Sequence, residues 1–530
     1  MMTSTINISS NKLKIGLVVL VVLLVSLLLA WISPAFSFFS FLSVSFVAVA
    51  FIIIGWWLLR KESIPNWVGT LIIGAIVLRL LMGAAWYILL PIWGHGSEVE
   101  KAGYIMSDAY HRDQAAWELA DSNTSLVAAF QGYRQVDQYG GLLFFSAAIY
   151  RIFGGDIHQP LMMIILTAVF SASMILYSWA STNRLWGPSV AKVTVWIIAL
   201  YPEAVLLGSS QMREAFTMTL MSIAVFGLIY YYQEHSWWGI GWILLALALS
   251  IPLSTLFSVM LLIILSLLAI VLFRVKIFRN WILWATLGGL LLIGIGAVWI
   301  FGERIYPEGS SNPLTLIREW LVFSGRWEIR SIALSSGWFN KILNRSPEWM
   351  HLWLIIGYGT FQPFLPAALI ATGNWLWRAI AIWRSIGWTL LFVLLIYAPF
   401  RSFEKKKSNF IPAGMTLFAW LGILLAAFRG GGDQWDNPRY RVVFLVFQAS
   451  LASWVWIKQR DENNPGFHRI IVSLGFVFAW FVPWYLRRYI DSFTWPIVDL
   501  FKTVGLGFIT AILYWLYDWV RVEGVSENVD

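Results

Sequence analysis

The sequence predicts an all-α, polytopic membrane protein with about fourteen transmembrane helices, and three observations carry that prediction. Of its 530 residues, 59% are hydrophobic and only 12% are charged, where a soluble domain carries roughly a quarter charged residues. Apolar runs of about 18 residues or more recur along the whole length, each long enough to cross the hydrocarbon core as a helix. These runs do not alternate in polarity, as the strands of a membrane β-barrel would.

The spans fall at approximately 14–33, 37–59, 66–92, 158–181, 188–206, 210–232, 237–250, 254–273, 281–301, 378–400, 410–428, 441–457, 469–486 and 498–520. Lys12 and Lys14 before the first run read as a retained signal-anchor, because the run is longer than a signal peptide's and a second span follows at once. The stretch 237–273 is too long for one helix, and Ile251-Pro252 divides it. Segments 139–153 and 350–371 are apolar but would break the parity of the topology, so they are expected as juxtamembrane or re-entrant helices, with Pro363 and Pro366 bending the second. They belong to two large outer loops, 93–157 and 302–377. Three parts follow: two N-terminal helices (1–63), a catalytic core with both loops (64–457), and C-terminal helices with a short polar tail (458–530).

Lysine sets the orientation. Lys12, Lys14, Lys61, Lys192, Lys276, Lys405, Lys406, Lys407 and Lys458 fall on one side, while Lys101 and Lys341 fall on the other. The first side is therefore cytoplasmic and holds both termini, which suits the inner (plasma) membrane. The net charge of +9 belongs to this bias and implies no nucleic-acid partner. Arginine runs against it: Arg112, Arg134, Arg304, Arg318, Arg326, Arg330, Arg345, Arg429, Arg439 and Arg441 all map outside, where they would bind an anion at the outer leaflet. The 34 Trp fill interfacial belts and core. The absence of cysteine excludes disulfides, iron–sulfur clusters and thiolate catalysis.

The candidate site residues lie at the outer ends of spans. Asp108 reads either as a general base for an acceptor hydroxyl or as a helix N-cap. Tyr110, His111 and Asp113 share its neighbourhood; a single His with scattered acids is a weak metal signal beside a solvated-loop reading. Arg213 and Glu214 open the span 210–232, either as functional groups at the boundary or as a local pair, with Glu214 favoured near a helix N-terminus. Glu203, after Tyr201-Pro202, faces the same side. In Gly430-Gly431-Gly432-Asp433-Gln434-Trp435-Asp436-Asn437-Pro438-Arg439-Tyr440-Arg441, the glycines allow close backbone approach to a ligand. There Arg439 and Arg441, with Arg429, would grip a phosphate, or else bind anionic lipid. Arg79, in mid-span, needs an acid or a cavity.

In their order these features resemble the GT-C superfamily of polytopic glycosyltransferases, whose members include protein O-mannosyltransferases and aminoarabinose transferases. The matching residues are Asp108-Ala109-Tyr110 with Ala115-Ala116 and Leu119-Ala120. Next come Tyr139-Gly140-Gly141 through Ala148-Ile149-Tyr150-Arg151-Ile152-Phe153-Gly154, then Tyr201-Pro202 before Arg213-Glu214, and finally Asn437-Pro438-Arg439-Tyr440-Arg441. The resemblance covers roughly residues 64–457. Two extra spans precede it, and the first loop carries the single acid Asp108 where the mannosyltransferases have an acidic pair. It implies transfer of a hexosyl or pentosyl group from a polyprenyl-phosphate-linked sugar to a hydroxyl of a protein, lipid or glycan acceptor, with inversion. Asp108 would be the base, Glu214 would orient the acceptor or hold a metal, and Arg429, Arg439 and Arg441 would stabilise the departing phosphate. No cofactor is required, and a divalent metal is optional. The alternatives are an O-antigen polymerase- or ligase-like enzyme using lipid-diphosphate glycans, a flippase or transporter, and a structural scaffold.

Overall fold

The computed structural model describes residues 8–133, 135–273, 315, 337–370, 373–403, 410–462 and 464–526, and every regular element among them is helical. In chain order these are α1 (Ile8–Ile32), α2 (Phe38–Leu58), α3 (Asn66–Trp93), α4 (Glu98–Lys101), α5 (Ser107–Asp121), α6 (Gly141–Phe153), α7 (Pro160–Trp186), α8 (Pro188–Leu200), α9 (Pro202–Gly208), α10 (Arg213–Glu234), α11 (Trp237–Leu253) and α12 (Thr255–Phe273). There follow α13 (Gly337–Arg345), α14 (Glu348–Thr360), α15 (Leu365–Ile370), α16 (Trp375–Ser402), α17 (Phe410–Gly430), α18 (Asp436–Arg441), α19 (Leu445–Glu462), α20 (Pro465–Leu486) and α21 (Leu500–Ser526).

Among the described residues ten helices are long and apolar enough to cross a membrane, with α18 and α19 forming one of them. The pair α8–α9, bent by 52°, makes an eleventh if it counts as one span. The expectation of about fourteen is larger for three reasons. Only Val19–Ile32 of α1 enters that count, as a shorter apolar helix, α11 is only 17 residues long, and 281–301 lies outside the described residues. Lys276, Lys405, Lys406, Lys407, Arg134, Arg304, Arg318, Arg326 and Arg330 lie outside them too. The division near Pro252 is present: α11 stops at Leu253, and the Ser254 hydroxyl accepts from the Phe257 amide at 3.2 Å to start α12.

The core is built around α7. Of its apolar window 94% is buried, and it packs on α2, α3, α8 and α10. Small residues make this close approach feasible: Ser171, Ala172, Ser173, Ser178, Ala180 and Ser181 are all buried along it. Thr182 shares a 2.9 Å hydrogen bond with Ser450 of α19. Proline at the first position of α7 and of α8 suits the missing amide, and Gly187, with φ of +84°, makes the turn between them. By contrast, α20 and α21 pair mainly with each other, and only 11% and 17% of their windows are buried.

The two apolar loop segments are short helices. The first is α6, of 13 residues. The second is α14 and α15, interrupted around Pro363. Among the described residues Arg79 has no acid partner. It is fully buried, and its guanidinium donates to the carbonyls of Ala75 at 3.0 Å, Ala199 at 3.4 Å and Ile198 at 3.5 Å. The last two lie at the C-terminus of α8, where Pro202 supplies no amide to the Ile198 carbonyl four residues back. The buried cation thus satisfies the acceptors that the broken span leaves open.

Candidate active site

Three helix N-termini converge on one guanidinium. Asp108 lies in the first turn of α5, Glu214 in that of α10 and Asp436 in that of α18, positions where negative charge is favoured by the helix dipole. Arg439 reaches all three. Its Nε donates to Glu214 Oε1 at 2.8 Å, and its Nη1 lies 2.9 Å from Asp108 Oδ2 and 3.3 Å from Asp436 Oδ1. Burial grades the three acids: the Glu214 side chain is 6% exposed, and those of Asp108 and Asp436 are 47% and 49% exposed. Between the two readings of Asp108, the cap is not the one formed. The N-cap of α5 is Met106, without a side-chain cap bond, and the Asp108 carboxylate turns to Arg439.

The loop before α18 is folded to present Arg439. Asp433 Oδ1 accepts from the amides of Trp435 and Asp436 at 2.6 and 2.7 Å, which closes the turn into α18. Asn437 Nδ2 donates to the carbonyls of Gly359 and Gly431, both at 2.7 Å, and pins the loop to α14. The glycines serve this packing. A Cβ at Gly430 would sit 2.6 Å from the Asn437 backbone, and Gly431 has φ of +49°.

A second layer lies beside the first. Arg112 Nε is 3.7 Å from Asp137 Oδ2, and Arg213 Nη1 is 3.9 Å from Asp137 Oδ1. Asp137 also accepts from the amides of Tyr139 at 3.4 Å and Leu143 at 3.1 Å, so it caps α6 while holding both arginines. Arg213 lies over the Tyr139 ring at 5.1 Å. Burial pulls the Arg112 guanidinium below its ordinary pKa, against the opposing pull of Asp137.

Other candidates are placed apart from this centre. Asp113 is buried on another face of α5, where it accepts from Tyr104 at 2.5 Å and Tyr150 at 2.6 Å and lies 2.9 Å from His158 Nε2. Burial, with the Asp113 charge added to it, pushes both tyrosines well above their ordinary pKa. Tyr110 stacks edge-on between Tyr104 and His111, and His111 is exposed. Glu203 is bound to Arg384 Nε of α16 at 2.6 Å, and Arg384 also donates to the Gln434 carbonyl at 2.7 Å. Arg441, two residues beyond Arg439, turns to the opposite side: its Nη1 donates to the Gln362 carbonyl at 2.7 Å, and its guanidinium lies 3.3 Å from the Trp388 ring centre. Arg429 is exposed, has no ion pair among the described residues and stands 5.6 Å from the Tyr440 ring that Arg439 approaches from 5.4 Å.

Sequence reading thus singled out Asp108, Glu214, Arg439 and Arg213 but missed Asp137, Asp436 and Arg384. Arg384, an arginine inside the apolar run 378–400, carries the same signal that singles out Arg79. Asp137 and Asp436 carry none that distinguishes them from solvated loop acids. Among the described residues no group of three or more His, Asp or Glu is set to hold a metal ion.

No protein-family profile and no curated protein matches the chain. Solved structures similar to it include two of Archaeoglobus fulgidus oligosaccharyltransferases. One, in complex with an inhibitory peptide and a dolichol-phosphate, matches at 13% identity over 86% of this chain and 54% of that one, with a TM-score of 0.39. The other, tethered to an acceptor peptide containing the NVT sequon, matches at 12% identity over 84% and 53%, with a TM-score of 0.38. The chain spans about half the length of the structures it matches.

Proposed function

We propose that the protein is a membrane glycosyltransferase that moves a sugar from a polyprenyl-phosphate donor to an acceptor hydroxyl at the outer face of the plasma membrane. The observation that carries this reading is Arg439 held at the N-terminal ends of three helices beside the partly exposed carboxylate of Asp108. A cation and a base 2.9 Å apart are the two groups that such a transfer needs.

In the proposed step Asp108 accepts the proton of the acceptor hydroxyl as its oxygen attacks the anomeric carbon. The bond from that carbon to the phosphate oxygen breaks, and the electron pair leaves with the lipid phosphate. One displacement inverts the anomeric centre. Arg439 stabilises the departing charge, and the buried Glu214 fixes its fork through Nε. Arg112 and Arg213, sharing Asp137, keep the neighbouring field positive. A lipid-diphosphate donor is the second reading, favoured by Arg429, which has no ion pair among the described residues and lies 5.6 Å from the Tyr440 ring that Arg439 approaches from 5.4 Å.

The test is transfer by purified protein in lipid, given a panel of labelled polyprenyl-monophosphate sugars and a membrane extract as acceptor source. Asp108→Asn is expected to lower transfer by about 10²- to 10⁴-fold. Undiminished transfer would remove Asp108 from the step. Absence of sugar release from every monophosphate donor, with release from a diphosphate donor, would replace this reading by the second.

A further inference from the structure

Arg439 carries one positive charge and meets three carboxylates, more than it needs. The three are not equivalent. Glu214 is buried and occupies Nε, and its release would strand a charge away from water. Asp108 and Asp436 share the single nitrogen Nη1 and are about half exposed, so water solvates either of them once released. The phosphodiester of a polyprenyl-phosphate sugar carries one negative charge on two free oxygens, and the lipid phosphate released from it carries up to two; the oxygens of either match the planar fork of a guanidinium. Arg439 therefore has one permanent counter-ion and two replaceable ones.

We propose that the donor phosphate displaces Asp108 and Asp436 from Arg439, so that Asp108 becomes available as a base only once a donor is seated. The proposal rests on the reading of Arg439 as the donor-phosphate cation. Without donor, the guanidinium is bound to one Asp108 oxygen, Oδ2, and holds the carboxylate turned toward Arg439. With donor, repulsion from the phosphate drives the released carboxylate toward the acceptor side. No bond is made or broken: one set of ion pairs replaces another, and both aspartates leave as anions.

The experiment measures binding of farnesyl monophosphate to the full chain in nanodiscs of zwitterionic lipid, with farnesol as the uncharged control. Asp108→Asn and Asp436→Asn are each expected to bind farnesyl monophosphate at least about threefold tighter than the unmodified protein, since each removes a competitor for Nη1. Glu118→Gln, which neutralises an exposed acid elsewhere on α5, is expected to leave binding unchanged. Arg439→Gln is expected to abolish it. Because that change leaves Glu214 unpaired, the double variant Arg439→Gln with Glu214→Gln is measured beside it. If the arginine variants lose binding but Asp108→Asn gains nothing, or gains no more than Glu118→Gln, the exchange is overturned and the phosphate reading stands. If the double variant binds as the unmodified protein does, both fall.

Discussion

At the scale of single residues, Asp108 and Asp113 show what helical geometry decides and spacing alone does not. Five residues apart, they differ by about 140° around the helix axis, so one carboxylate meets Arg439 and the other is enclosed by Tyr104, Tyr150 and His158. The sequence shows both acids but not the rotation of α5, which is set by the partners brought in from α6 and α18. The same rule separates Arg439 from Arg441, because residues two apart on a helix do not share a face. Asp113→Leu is expected to lower the melting temperature of the purified protein, since it leaves two buried phenol hydroxyls without their acceptor, at about 1–3 kcal/mol each. Farnesyl monophosphate binding by the surviving folded fraction is expected to be unchanged. A parallel loss of both would place Asp113 in the binding site.

At the scale of elements, prolines and glycines are the parts of the fold most legible in the chain. Pro160, Pro188 and Pro202 each open a helix, and the division near Pro252 is where the run 237–273 demands it. What was not legible is how the break at Tyr201-Pro202 is tolerated inside the core. Arg79 comes from α3, more than a hundred residues earlier, to bond the freed carbonyls. That approach needs Gly208, where a Cβ would lie 2.4 Å from Ser171 Oγ and 2.7 Å from Arg79 Nε. Gly208→Ala is therefore expected to destabilise the protein by about 1–3 kcal/mol, read as a lower midpoint in denaturant. An unchanged midpoint would mean that α9 shifts freely against α3 and α7.

At the scale of the whole molecule, the membrane class follows from composition and run length, which are properties of the chain before it folds. The span count is less legible, because α11 and the α8–α9 pair are near the length limit and only packing decides how each sits. Orientation rests on lysine placement, and the absence of cysteine makes it directly measurable. Lys101→Cys is expected to react with a membrane-impermeant maleimide added outside intact cells, and Lys61→Cys only after permeabilisation. Both side chains are exposed. The reverse pattern would put the Arg439 cluster on the cytoplasmic face.

The Arg439 cluster joins segments far apart in the chain, with Arg439 225 positions after Glu214. A growing polypeptide inserts its early helices into the bilayer well before α18 has been synthesised. Throughout that interval Asp108 and Glu214 lack the guanidinium that later binds both, and Glu214 is costly to bury without it. The centre therefore closes late in biosynthesis, in the event that docks α18 against α10. Any substitution that slows that docking prolongs the time for which an immature chain holds Glu214 without its Arg439 partner.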